Sequence, residues 1–217
     1  MRIPNDVHES GPWRIREIAR DFTVEDVWAL PAYGDAEDFE TLVQYLLSAS
    51  PSDTNSIPTR VLWGVRDLLG KWFGLGRISE SSDRTGELPI PGTTETSLAG
   101  RLPEDLRGTA ADLHFSSLPF VPLYRTGDEF AAEISNQTVH GVMHLAWVDQ
   151  GDGRFQGQMA VYVKPRGTLG KGYMALIKPF RYLIVYPALM RRVEHEWGLQ
   201  STRGSRPHRS DTPLHHG

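Results

Sequence analysis

Residues 140–144 read HGVMH, two imidazoles four positions apart. On a helix that spacing would set both rings on one face and offer zinc two ligands. On a strand the two residues share a face but stand about 13 Å apart, at roughly 3.3 Å per residue. No single zinc ion, about 2.0 Å from each nitrogen, spans that gap. The flanking residues decide between the two. The stretch 138–148, TVHGVMHLAWV, carries threonine, valines and tryptophan that favour a strand, and Gly141 weakens a helix by about 1 kcal/mol. No glutamate follows His140, as a helical zincin motif requires. The pair is read as a strand pair, with no metal and no cofactor.

The chemistry is then that of a sheet face. Residues 155–164 form the return strand, joined through the glycine-bearing loop DQGDG (149–153). Pairing Val148 with Arg154 sets His144 opposite Gln158 and His140 opposite Tyr162. One face then holds Val139, Gly141, Met143, Leu145, Trp147, Phe155, Gly157, Met159, Val161 and Val163. It is too apolar to be wet. The other face holds His140, Val142, His144, Ala146, Gln156, Gln158, Ala160, Tyr162 and Lys164, and a slip of one residue would mix the two sets. His140, His144, Gln158 and Tyr162 would suit a polar patch that orients a ligand, with a histidine as acid or base. Ordinary cross-strand pairs on an exposed face are the stronger reading. Tyr124, Glu133 and His114 are the other titratable groups beside apolar residues. A glutamate closed into a cavity can act as a base, but Glu133 is more at home on a solvated strand face. Lys178 and Arg181 flank Pro179 and could take a ligand carboxylate or phosphate, although the polar face of a helix is their ordinary place. GTLGKG (167–172) lacks the Lys-Ser/Thr ending of a phosphate loop.

The elements that must position these groups follow from composition and period. The 217-residue chain has no cysteine and a net charge of −4. Disulfides and thiolate chemistry are excluded, and the chain fits a reducing compartment, the cytoplasm. The mild acidity argues against nucleic acid as a partner. No signal segment is visible, and the run YLIVYPALM (182–190) is far shorter than the roughly 20 residues of a membrane span. A first strand is expected over 13–19. Asp35 caps a helix over 36–48 that buries Phe39, Leu42, Val43, Leu46 and Leu47. A second helix is expected over 57–73, then a flexible insertion over about 76–102 and one helical turn at 103–108. Strands follow over 119–125, 130–134, 138–148 and 155–164. The longest helical pattern spans 170–198 with breaks expected at Pro179 and Pro187, and 201–217 reads as a disordered tail.

The segments RDFTVEDVWALP, EISNQTVHGVMHLAWV, GQMAVYVKPRG and GYMALIKPFRYLIVYPALMRR resemble the Domain-of-Unknown-Function 2867 family over about residues 4–198. The element order resembles the START-like (SRPBCC) superfamily. That resemblance implies an α+β helix-grip fold: residues 1–200 as one domain, with a curved antiparallel sheet wrapped on helix 171–197 and an apolar cavity between them. It implies a hydrophobic small molecule as partner. The candidate lining is Tyr124, Glu133, His140, Met143, His144, Gln158, Met159, Tyr162, Tyr173, Ile177, Phe180, Arg181 and Ile184. The alternatives are a polyketide-cyclase-like enzyme using acid–base residues in that cavity, and a ligand-free interaction module.

Overall fold

The computed structural model describes residues 1–48, 95–116, 118–135, 138–168, 170, 172, 174, 182 and 186–204. Its centre is a six-stranded antiparallel sheet in the order β1-β2-β6-β5-β4-β3. The strands are β1 (Arg2–Ile3), β2 (Thr23–Gly34), β3 (Val121–Arg125), β4 (Glu129–Ser135), β5 (Val139–Gly151) and β6 (Arg154–Pro165). The fold class is α+β. Four helices are described: α1 (Asn5–Glu9), α2 (Ile15–Ile18), α3 (Phe39–Ser48) and α4 (Tyr186–Gly204).

The expected strand over 13–19 is instead a loop and α2. Ile15, Ile18 and Ala19 are the buried positions, and that three-and-four spacing is helical, not alternating. The long strand lies just beyond, at β2, where register shifts accommodate Pro31 between Ala29 and Tyr33. Asp35 caps as expected: its side chain accepts from the Glu37 amide, and Asp38 returns to the Asp35 amide. A short 3-10 turn (Ala36–Asp38) leads into α3, which buries Phe39, Leu42, Val43, Leu46 and Leu47 as its period requires.

Residues 57–73 and most of the insertion lie outside the described residues. Its last part does not hang free: Leu98–Arg101 forms a 3-10 turn with Leu98 fully buried, and Glu104–Leu106 forms a second turn. The C-terminal helix is described from Tyr186 and includes Pro187. It runs through Gly204, so residues 201–204 of the expected tail are helical.

In the β5–β6 hairpin the expected parity holds, but the register differs by two residues. Val148 pairs with Gln156, which sets His144 opposite Ala160 and His140 opposite Lys164. The hairpin closes later than a five-residue loop allows, at Gly151–Arg154, with Asp152 and Gly153 at positive φ. Both faces are buried. Met143, Leu145, Trp147 and Met159 meet α3 and the α4 residues Tyr186, Val193 and Trp197. The Trp197 indole donates to the Tyr33 carbonyl at 2.7 Å and ties α4 to β2. On the opposite face Tyr124, Ala131, Val142, Ala160 and Tyr162 are covered by Ile15, Ile18, Leu98, Leu102 and Leu106. The face expected to be solvated is therefore a second core, roofed by short turns whose apolar residues show no long period.

Candidate functional site

Alternation along β4, EFAAEIS, sends Glu129, Ala131 and Glu133 to the face that carries His140 and His144 on β5. Burial of this face closes the side chains over one another, and polar atoms must then find partners within the protein. His140, His144, Glu129 and Glu133 are all buried, which overturns the exposed-face reading of the histidines and of Glu133.

Each histidine meets its own carboxylate. His144 Nε2 lies 3.0 Å from Glu129 Oε2. The Tyr124 hydroxyl donates to the same oxygen at 2.8 Å, and the Arg14 amide donates to both Glu129 oxygens at 3.0 Å. Burial works to raise Glu129, but His144, the Arg14 amide and the Tyr124 hydroxyl outweigh it and hold the carboxyl below the ordinary carboxylate range. An ionised carboxylate only accepts, so Nε2 carries the hydrogen. The other ring nitrogen, Nδ1, has no partner among the described residues. Burial and the adjacent Glu129 push the Tyr124 hydroxyl up, so it stays a donor.

Above His144 lies a group of rings. His8 from α1 contacts it edge-on, with centroids 5.2 Å apart, and Trp13 approaches it at 5.9 Å. His8 Nε2 lies 3.0 Å from the Tyr162 hydroxyl. Burial, then the neighbouring His144, push His8 down to about 3, against partial support from Glu129. His8 is therefore neutral at pH 7. Burial likewise pushes Tyr162 up and keeps it a phenol. His8 Nδ1 and the Trp13 indole nitrogen, like His144 Nδ1, are buried without a partner among the described residues. Three rings in mutual contact, each with a nitrogen unpartnered among the described residues, are an unusual concentration, since buried polar atoms are nearly always satisfied. Trp13 and Tyr162 also form part of the wall of an open hollow of about 640 Å³, with Glu9, Arg16 and Val24 around it.

The second dyad is of another kind. His140 Nε2 lies 2.9 Å from Glu133 and its Nδ1 lies 3.1 Å from Glu95, so both nitrogens are engaged. The Leu98 amide and the Ser97 hydroxyl donate to Glu133. Glu95 also meets Lys164 at 2.9 Å and Arg166 at 3.2 Å. This network fastens the 95–101 turn to the sheet. No three His, Asp or Glu side chains gather as metal donors among the described residues.

Of the residues expected in the site, Tyr124, Glu133, His140, His144, Gln158 and Tyr162 share this face, and Gln158 is buried with its amide nitrogen unpartnered among the described residues. Met143 and Met159 face the other way, into the helix-side core. Tyr173, Ile177, Phe180, Arg181 and Ile184 lie outside the described residues. Sequence reasoning missed Glu129, whose signal was the same two-residue alternation that placed Glu133. It also missed His8 and Trp13, for which no periodic signal exists. On the helix side it missed Asp26, fully buried, which accepts from the Tyr186 hydroxyl at 2.8 Å and from Tyr182.

Compared with known families, residues 18–188 match the model described as a protein of unknown function, DUF2867, and the chain belongs to that family. No curated protein and no solved structure matches it. The matched span contains Glu129, His144 and Tyr162, whereas His8 and Trp13 precede it. No helix among the described residues is long and apolar enough to cross a membrane.

Proposed function

We propose that this DUF2867 member binds a small, largely apolar molecule on the sheet face opposite α3 and α4, and that His144 serves there as a proton-transfer group held by Glu129. The observation that carries the reading is a set of ring nitrogens unpartnered among the described residues, on Trp13 in the wall of the hollow and on His8 and His144, whose buried rings pack against it. A carboxylate-oriented imidazole with its second nitrogen unclaimed is the arrangement a general base needs. His140, claimed on both sides, is a fastening of the fold. The wall of the hollow sets Trp13, Phe22 and Tyr162 beside the charged Glu9, Arg16, Glu17 and Arg20, which suits a small molecule with an apolar body and a polar group. Reaching His144 takes a turn of the Trp13 ring, whose indole nitrogen has no hydrogen-bond partner among the described residues.

A START-like helix grip remains our proposal for the superfamily, supported by α4 packed across one face of a six-stranded antiparallel sheet. It carries a second reading: a ligand between sheet and C-terminal helix, favoured by Asp26 buried beneath Tyr182 and Tyr186. A cytoplasmic setting goes with either, since a chain without cysteine needs no oxidising environment.

Two filling variants separate the readings. Val24→Trp intrudes on the hollow and Met143→Trp intrudes on the helix-side core. Saturation-transfer NMR of the full chain with phenylacetone and with indole as probes reads binding, after each variant is shown to melt cooperatively. Binding lost in Val24→Trp and kept in Met143→Trp supports the first reading. The reverse pattern transfers the site to the helix side, and equal binding by both variants overturns the first reading.

A further inference from the structure

We infer that the substrate class is a carbonyl compound bearing an acidic α-hydrogen, and that the reaction is its enolisation, with His144 as the base and the Tyr162 hydroxyl as the hydrogen-bond donor to the carbonyl oxygen. This rests on the small-molecule reading above and adds the chemistry. The geometry supplies two groups of opposite use, Tyr162 in the wall of the hollow and His144 fully buried beside it. His144 and Tyr162 lie edge to face with ring centroids 6.3 Å apart, a separation that leaves both within reach of a substrate's adjacent carbon and oxygen atoms. His144 offers Nδ1, a lone pair opposite the Glu129-bound Nε2. Tyr162 offers an O–H whose oxygen lies 3.0 Å from His8 Nε2.

His8 is what makes the tyrosine useful. A neutral imidazole has a single N–H, and placing it on Nε2 lets His8 donate to the Tyr162 oxygen. The phenolic hydrogen is then free to turn to a substrate oxygen. An imidazolium there would draw the phenol toward ionisation, and a carboxylate would claim its hydrogen. Burial keeps His8 neutral and Tyr162 a phenol, which agrees with a hydrogen-bonding role rather than full proton donation. His8 acts through Tyr162 and is a positioning residue.

The step balances without a co-reactant. The α C–H bond breaks and its proton goes to His144 Nδ1. The C–H electron pair becomes the new C=C bond, and the carbonyl π pair moves onto oxygen. That developing negative charge sits against the Tyr162 O–H. Glu129 stabilises the imidazolium formed. The reverse step returns the proton to carbon, or delivers it to oxygen as the enol. In deuterated solvent the imidazolium exchanges, so the substrate gains deuterium.

The test uses the full chain in deuterated buffer at pH 7 with phenylacetone, whose benzylic hydrogens are acidified by both neighbours. Proton NMR follows their loss, and saturation transfer in the same tube reads binding. Exchange by the wild type above the buffer rate is expected. His144→Gln should lower it by about 10²-fold or more, and Tyr162→Phe by a similar factor, both with binding retained. Because Tyr162→Phe removes a buried hydroxyl, 3-fluorotyrosine at 162 serves as the second variant. It keeps the volume, acidifies the phenol and should change the exchange rate with unchanged melting. Binding without exchange, or exchange indifferent to both changes at 162, overturns the inference and leaves the binding reading standing. Absence of both signals overturns the two together.

Discussion

Acidification from pH 7 to pH 5 should destabilise this protein through one side chain, His8. Its folded value of about 3 lies well below the ordinary 6.5. Between those values the unfolded chain takes up a proton that the folded chain refuses. Stability therefore falls as pH drops below 6.5, and the loss is complete near pH 3. At about 1.4 kcal/mol per tenfold difference in proton affinity, the penalty is about 2 kcal/mol at pH 5. Glu129, held below its ordinary 4.5, acts in a separate window. Its contribution is present above 4.5 and is lost as pH falls through the folded value. Urea denaturation at pH 7 and pH 5, followed by circular dichroism, measures the slope for the wild type and for His8→Gln. The variant gives up the ring contacts with Trp13 and Tyr162 and should be less stable at pH 7 by about 1 kcal/mol. Its decline between the two pH values should nevertheless be smaller by about 2 kcal/mol. Equal declines in the two proteins would refute the claim that His8 is held neutral by burial.

Three further outcomes follow from single contacts. Tyr124→Phe removes one of the donors to Glu129 and should cost about 1–2 kcal/mol at pH 7 by chemical denaturation, with acid unfolding beginning at a higher pH; an unchanged acid midpoint counts against the Glu129 network. Gly157→Ala would place a Cβ 2.9 Å from Leu42 Cδ2 and 3.3 Å from Leu30 Cβ, both in the helix-side core, and should cost about 1–3 kcal/mol; an unaltered melting temperature would show that α3 can yield. Gly11→Ala would drive a methyl group into the Trp13 indole, so the Trp13 cross-peak in a proton–nitrogen correlation spectrum should shift while that of Trp147 stays in place.

How far the sequence could be read depended on period. The two-residue alternation of β4, β5 and β6 was legible, and so was which residues share a face. The pairing register was not, because parity survives a shift of two residues and only the turn distinguishes Val148–Arg154 from Val148–Gln156. Helix α3 was legible down to its Asp35 cap, since five apolar residues at helical spacing leave no other element. The roof over the histidine face was not. It is made of α1, α2 and two 3-10 turns, each too short to show a period, and its buried residues arrive singly as His8, Ile15, Ile18, Leu98 and Leu106. A strand carrying histidines between small apolar residues reads as solvated when its cover is invisible. That single gap produced the exposed-face reading of His140, His144 and Glu133.

The two dyads differ in what the fold asks of them, and this bears on His144. Glu129 has a structural task without the histidine: it accepts the Arg14 amide at the start of α2 and the Tyr124 hydroxyl. The strand itself does not call for an imidazole at 144: the neighbours on the same face are Val142 and Ala146, and a branched apolar side chain would suit it. His144→Val leaves Glu129 one donor short, at a cost of about 1–3 kcal/mol. Against this, burying an apolar side chain in place of an imidazole with an orphaned nitrogen returns about 1–2 kcal/mol. The two nearly cancel, so the variant should melt within about 1 kcal/mol of the wild type by urea denaturation, while the exchange assay falls silent. A loss of about 4 kcal/mol or more would instead mark His144 as a structural member of the core, since that is the scale at which buried hydrogen-bonded networks fail when broken.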